Sequence, residues 1–361
     1  MTGRERMSAL LNKKATDRLA WTTLVDNASL DAFPRGLRGN WGIDFYRHLD
    51  CDLFFLNGWN TPHRFRSPQL CWGIDVREEH TTQGSVHTAT WHTPQGRLAR
   101  ILDRGHPRKY PVDSIDAVRI YRAMWESARF EAHDDAPVLA ELDLLLGETG
   151  VVTRFCGPST IPRLLEVDMG TENFYYLFAD YPEEMHGLIR TMHAGQLDAF
   201  RILAAGPCTS VTLTENTSTH YISPDIYRRY NMPHQRDFVE SIQANGKTAI
   251  LHMCGHVRNL LDLIKETRCD GIHFLTPPPT GDTPWEEALD VLGEDLIIFG
   301  CLDPTIFAAG DVAGIGPALD ALITPRLRGA NFVLSPTADG ITVELSRFLA
   351  VRDWIAKRGA W

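Results

Sequence analysis

The 361-residue chain is 43% hydrophobic and 23% charged, the balance of a water-soluble protein with one large core. Its 46 acidic and 36 basic side chains give a net charge of -10, and without a long basic run or basic helix face this argues against nucleic-acid binding. The start MTGRERMSALLNKKATDRLAW has no apolar stretch of signal-peptide or membrane-span length, and seven scattered cysteines lack the framework of a secreted disulfide protein, so a cytoplasmic address is expected.

Eight short apolar runs rich in β-branched or aromatic residues are predicted as strands, near 19–24, 53–56, 151–155, 210–215, 248–253, 271–275, 296–301 and 331–335. Between the second and third, LCWGIDVREEHTTQGSVHTATWHTPQGRLARILD alternates in short segments broken by turn residues, which predicts an inserted antiparallel hairpin or small sheet. SIDAVRIYRAMWESARFEA then has helical periodicity. Amphipathic patterns fill the later intervals: PEEMHGLIRTMHAGQLDAFRILAAG, PDIYRRYNMPHQRDFVESIQANG and VRNLLDLIKETRCDG. Strand–helix alternation requires parallel pairing, and eight repeats predict closure into a (β/α)8 barrel. With no Ser/Gly linker in the chain, a single domain over residues 1–361 is expected, with an amino-terminal helical extension and an insertion at 57–150. A doubly wound sheet is the structural alternative, but no G-x-G-x-x-G follows an early strand.

The fifth run ends in His252-Met253-Cys254-Gly255 before a helical pattern begins. Side chains two apart on a strand share a face, so an imidazole and a thiol, both suited to zinc, can converge there. The same pair also fits a buried histidine beside a buried free cysteine. Its place at the carboxyl end of a strand, where barrel enzymes build their sites, favours the metal. Two further donors close neighbouring runs, Glu215 in TLTEN and Cys301 in FGCLDP, and the four groups make a sensible tetrahedral set.

RERMSALL and DRLAW at the start, WHTPQGRL in the insert, the stretch SPDIYRRYNMPHQRDFVESIQANGKTAILHMCGH, then GCLDP and LSPTADGI together resemble the uroporphyrinogen decarboxylase-like superfamily. The resemblance covers nearly the whole chain and implies a (β/α)8 barrel. H-x-C-G is similar to the zinc motif of the methyltransferase branch. That likeness implies a zinc-dependent enzyme moving a methyl group between a small methylated substrate, or a thiol, and a corrinoid. No D-x-H-x-x-G-type cobalamin segment is present, so the corrinoid would come on a separate protein.

Two departures stand against the pattern. Members of that branch take a third ligand from a Gly-Cys-Gly turn after the last strand, where this chain has Ser335-Pro336-Thr337-Ala338-Asp339-Gly340. Cys301 replaces it from another strand or is a buried structural cysteine, and Asp339 is a weaker candidate. The arginine-rich M-R-Q-A-G-R-Y-like motif of the decarboxylase branch is also absent, DAFPRGLRGNWGIDFYR standing in its place with Arg35 and Arg38 nearby. The competing readings are a lyase acting on a small carboxylated substrate and a catalytically silent barrel.

Second-rank candidates are His220, as a substrate ligand or acid/base group in the loop after the fourth run, and Asp303 and Asn57, which close the seventh and second. His273 is either an inward neighbour of the metal strand or a core histidine. His256 orients the loop after Cys254. Trp59, Trp72, Phe174 and Tyr175 could wall a pocket, although aromatic residues are most often core.

Overall fold

The apolar runs pair as eight parallel strands in the computed structural model, which describes residues 1–57, 61–338 and 340–360. They are β1 (Ala20–Trp21), β2 (Leu53–Leu56), β3 (Gly150–Cys156), β4 (Ser210–Thr214), β5 (Thr248–His252), β6 (Gly271–Leu275), β7 (Ile297–Cys301) and β8 (Phe332–Ser335). Their order is β1-β8-β7-β6-β5-β4-β3-β2, each neighbour parallel, with helices between successive strands from β3 onward. The seam between β1 and β2 is bridged by single bonds: Asp52 N–H donates to the Trp21 carbonyl at 2.7 Å and Phe54 N–H to Thr22 Oγ1 at 3.0 Å. The result is a (β/α)8 barrel.

β1 is shorter than its apolar run because the residues after it spend their bonding capacity elsewhere. Thr22 serves the seam, Thr23 Oγ1 donates to the Pro336 carbonyl at 2.7 Å, and Leu24–Val25 pairs separately with Thr337–Ala338.

Two apolar layers follow from strand alternation. Inside the barrel lie Ala20, Phe54, Leu56, Ile250, Ile297, Phe299 and Val333, and the helix Gly3–Leu11 plugs the foot by adding Met7, Leu10 and Leu11 to that cluster. Outward-facing residues such as Val152, Val211, Leu251 and Ile298 pack beneath the surrounding helices.

The interval after β2 holds more than one hairpin. Arg77–Gln83, Val86–Thr93, Gly96–Asp103 and His106–Lys109 form a four-stranded antiparallel meander, and Ile115–Glu126 is the helix expected from its periodicity. The first of these strands is exposed at every residue.

Candidate functional site at the barrel mouth

His252 ends β5 and lies in register with Thr214 of β4 and His273 of β6. Inward alternation from Ile250 turns the His252 ring into the barrel, where its Nδ1 lies 2.7 Å from Nδ1 of His273. The contact follows from the register that sets His252 beside His273 on the neighbouring strand. Past His273, β6 carries one residue more than β7, and the extra residue, Phe274, adopts a φ of +69°. Such a φ is costly for an aromatic residue, and bulges of this kind commonly re-aim side chains beside active sites. Phe54, Phe155, Phe274 and Phe299 surround the two imidazoles with centroids 4.3–6.5 Å away. Burial among these rings lowers the His252 pKa to about 4 and drives that of His273 well below its ordinary value. Both rings are therefore neutral at pH 7.

Cys254 stands two residues beyond the strand end and is exposed, whereas five of the other six cysteines are buried. Its Sγ lies 3.7 Å from Asn216 Oδ1, and Asn216 Nδ2 donates to Glu166 Oε2 at 3.2 Å. Asn216 is fixed in turn by its left-handed φ of +42° and by its N–H, which donates to the His252 carbonyl at 3.1 Å. Glu166 belongs to a π-helical turn, Leu164–Asp168, a distortion often found at functional sites. Burial raises its pKa against the opposing hydrogen bond from Asn216. Nothing in the pattern LLEVD singled Glu166 out, because the contact joins the loops after β3 and β4. Asn216 was in view beside Glu215 but carries no charge to attract notice.

The remaining candidates are dispersed. Glu215 is fully buried beneath the mouth. Oε1 accepts from Ser159 N–H at 2.8 Å, and Oε2 accepts from Ser159 Oγ at 2.9 Å and Gln235 Nε2 at 2.5 Å. Its pKa is pushed up to about 7 by burial, against those hydrogen bonds. Cys301 is buried at the end of β7 with Sγ 3.7 Å from the Leu302 carbonyl, and burial pushes its thiol up to about 12. Among the described residues, no three His, Cys, Asp or Glu side chains are grouped to hold a metal ion, so the structure does not bring Glu215 and Cys301 together with His252 and Cys254 as one ligand set.

Asp303 is buried with both oxygens capped by Thr280 and Thr305, and these bonds outweigh burial to lower its pKa. His220 is an exposed rim residue stacked on His256 at 3.8 Å. Asn57 clamps Phe155, accepting from its N–H at 2.7 Å. Trp72 packs against Trp125 behind the insert, Phe174 is core, and Tyr175 donates to the Tyr221 carbonyl. Arg35 and Arg38 are exposed. Trp59 and Asp339 lie outside the described residues.

A cavity of about 580 Å³ opens at the same end, lined by Asn27, Leu56, Asn57, Arg64, Arg154 and Phe155 among others. Phe155 joins it to the histidine pair, with ring centroids 5.7 Å apart from His252.

Residues 136–345 match the model of the uroporphyrinogen decarboxylase (URO-D) family. The chain belongs to that family. Among solved structures, a methyltransferase from Methanosarcina mazei superimposes with a TM-score of 0.59 over 99% of each chain at 11% identity, a likeness of fold. A D-psicose 3-epimerase from Clostridium cellulolyticum H10 aligns over 61% of this chain and 82% of its own, with a TM-score of 0.36 and 14% identity. No curated protein matches the sequence of this URO-D family member. No helix of the described residues is long and apolar enough to cross a membrane.

Proposed function

We propose that this URO-D family barrel is a zinc-dependent methyltransferase that moves a methyl group between a small methylated substrate, or a thiol, and a corrinoid on a separate protein. The observation that carries the reading is an imidazole kept neutral by burial at the carboxyl end of a barrel strand, followed two residues later by the chain's exposed thiol. A neutral imidazole offers a lone pair and an accessible sulfur is a zinc donor, so the donor chemistry fits zinc. His252 and Cys254 would hold the ion. The other positions would fall to substrate, water or Asp339, because Glu215 is occupied by Ser159 and Gln235 and Cys301 is enclosed.

Bound zinc lowers the pKa of a thiol or polarises a leaving oxygen. The chain's own groups act around that chemistry. Asn216 holds the Cys254 sulfur through Oδ1 and ties it to Glu166, a carboxyl whose pKa burial raises above its ordinary value. The four phenylalanines keep water from the inner side of the pair, where charge interactions are strongest.

The direct experiment is elemental analysis of protein purified without added metal, joined to an assay of methyl transfer between free methylcobalamin and a thiol, read from the corrinoid absorbance. About one zinc per chain and thiol-dependent demethylation support the reading. A metal-free protein with full activity would overturn it.

A second reading, a lyase acting on a small carboxylated substrate, draws on the arginines of the mouth cavity. Arg154 donates through Nε and Nη2 to the Ser67 carbonyl and through Nη1 to the Phe155 carbonyl, and no carboxylate of the described residues pairs with it within 4.0 Å. An anionic substrate group in that cavity would offset its charge. Carboxylate release without zinc would favour this alternative.

A further inference from the structure

We infer that Phe155 is a specificity-determining wall between the mouth cavity and His252, and that Asn57 is the positioning residue which holds it there. This rests on the proposed function only in placing the reaction beside His252. Phe155 lines the cavity of about 580 Å³, and neither His252 nor His273 does. Its side chain points into the barrel, packed with Val151 against the inner apolar cluster. From there its ring meets both imidazoles edge to face, with centroids 5.7 Å from His252 and 6.5 Å from His273 and interplanar angles of 83° and 69°. A group moving from the cavity toward His252 meets this ring first, so the ring's position sets how wide that group can be.

A wall discriminates by size only if it is held still. The pairing of β2 with β3 ends at Leu56 and Thr153, two residues before Phe155. Beyond that point β4 supports one side of β3, with Phe155 in register with Thr212, while the β2 side has run out of strand. Asn57 takes over there. Its N–H donates to the Thr153 carbonyl at 3.1 Å, its Oδ1 accepts from Phe155 N–H at 2.7 Å, and its Nδ2 donates to the Phe155 carbonyl. One side-chain amide thus makes the two bonds that a ladder residue would make with its backbone. Asn57 adopts a φ of +53°, in the left-handed region that asparagine enters more readily than most residues. Arg154 Nη1 supports the same Phe155 carbonyl at 3.1 Å.

Asn57→Gly separates positioning from folding, because glycine adopts the positive φ freely and only the side-chain clamp is lost. In metal-free protein, nuclear Overhauser contacts between the labelled rings of Phe155 and His252 are expected in wild type and should weaken in Asn57→Gly. Acylation of His252 is then followed by peptide mass spectrometry with a small reagent, diethyl pyrocarbonate, and a bulky one, di-tert-butyl dicarbonate, each relative to free N-acetylhistidine. Wild type is expected to favour the small reagent. Phe155→Ala and Asn57→Gly should lower that preference about tenfold, the scale of losing hydrogen bonds that hold the ring. His234, 7% exposed and away from the mouth, should stay unreactive and so reports that the variants remain folded. An unchanged preference in Phe155→Ala overturns the wall, and intact ring contacts in Asn57→Gly overturn the positioning role. Should Phe155→Ala fail to fold, Phe155→Leu, narrower but still apolar, carries the same test. Neither measurement contains zinc, so a wild type that binds no metal removes the zinc reading and leaves the wall standing.

Discussion

The two ends of the barrel use polar groups in opposite ways. At the foot, Asp52 is buried and saturated: it accepts from both Arg6 and Arg18 and from the Trp21 N–H, while Arg6 also binds Asp17. Each charge there has its counter-charge. At the mouth, the groups have no counter-charges of that kind. Two imidazole nitrogens lie within hydrogen-bond distance of each other, a thiol is exposed, and Glu166 has an amide for a partner rather than a cation. Saturated charges hold a shape. Neutral groups close to solvent are the kind a ligand can reach, and barrel enzymes keep stability at one end and chemistry at the other.

The largest expected effect lies at the foot. Asp52→Asn leaves two arginines facing a neutral amide in a buried site, and should cost about 3–5 kcal/mol of stability in denaturant titration. Zinc content per folded molecule should not change, and a parallel loss of metal would mean that the two ends are coupled. At the mouth the pattern reverses. Cys254→Ser should weaken zinc binding at least about a hundredfold, roughly 3 kcal/mol, with little change in the unfolding midpoint of the metal-free protein, because the side chain is exposed.

A third test lies away from both ends, on the helices Pro182–Ala205 and Met232–Gln243, where His193 and His234 stack with centroids 3.6 Å apart. Burial first, then the neighbouring His193, lowers the His234 pKa to about 3 from 6.5. The folded state binds this proton less readily than the unfolded chain, so its contribution is complete above pH 6.5 and is lost as the pH falls toward 3. By pH 4 the loss should be about 3 kcal/mol. His234→Phe, which keeps a ring in the stack, should flatten that part of the stability–pH curve; an unchanged slope would show that His234 does not set it. The smallest effect belongs to Cys301→Ala. An enclosed thiol without a ligand role predicts a cost of about 1 kcal/mol and unchanged zinc, whereas loss of the metal would make Cys301 a ligand.

Much of the architecture was legible because strand period and turn chemistry are local. The run near 271–275 becomes β6 with the same bounds, and the run near 248–253 differs by one residue at its end. The segment 19–24 was less legible, since Thr22 and Thr23 bond across the barrel to residues far away in the chain. The meander was readable as alternation, but its four strands were not, because strand count depends on which turns close. In the site, the H-x-C spacing was visible, but the strand ends at His252 and Cys254 lies beyond it. The partners were harder to read: Glu215 is a donor by type and position, yet its surroundings turn it toward Ser159 and Gln235.

The sequence by itself determined that the chain alternates strand and helix, that it belongs with barrels of the URO-D kind, and that an H-x-C pair falls where a strand run ends. Those properties depend on residues near one another in the chain. Tertiary structure alone decided that His273 meets His252 across two paired strands, that Asn216 links Cys254 to Glu166, and that Glu215 and Cys301 are enclosed. Each of these depends on which way a side chain turns once strands from distant segments are in register, and a shift of one residue would reverse it.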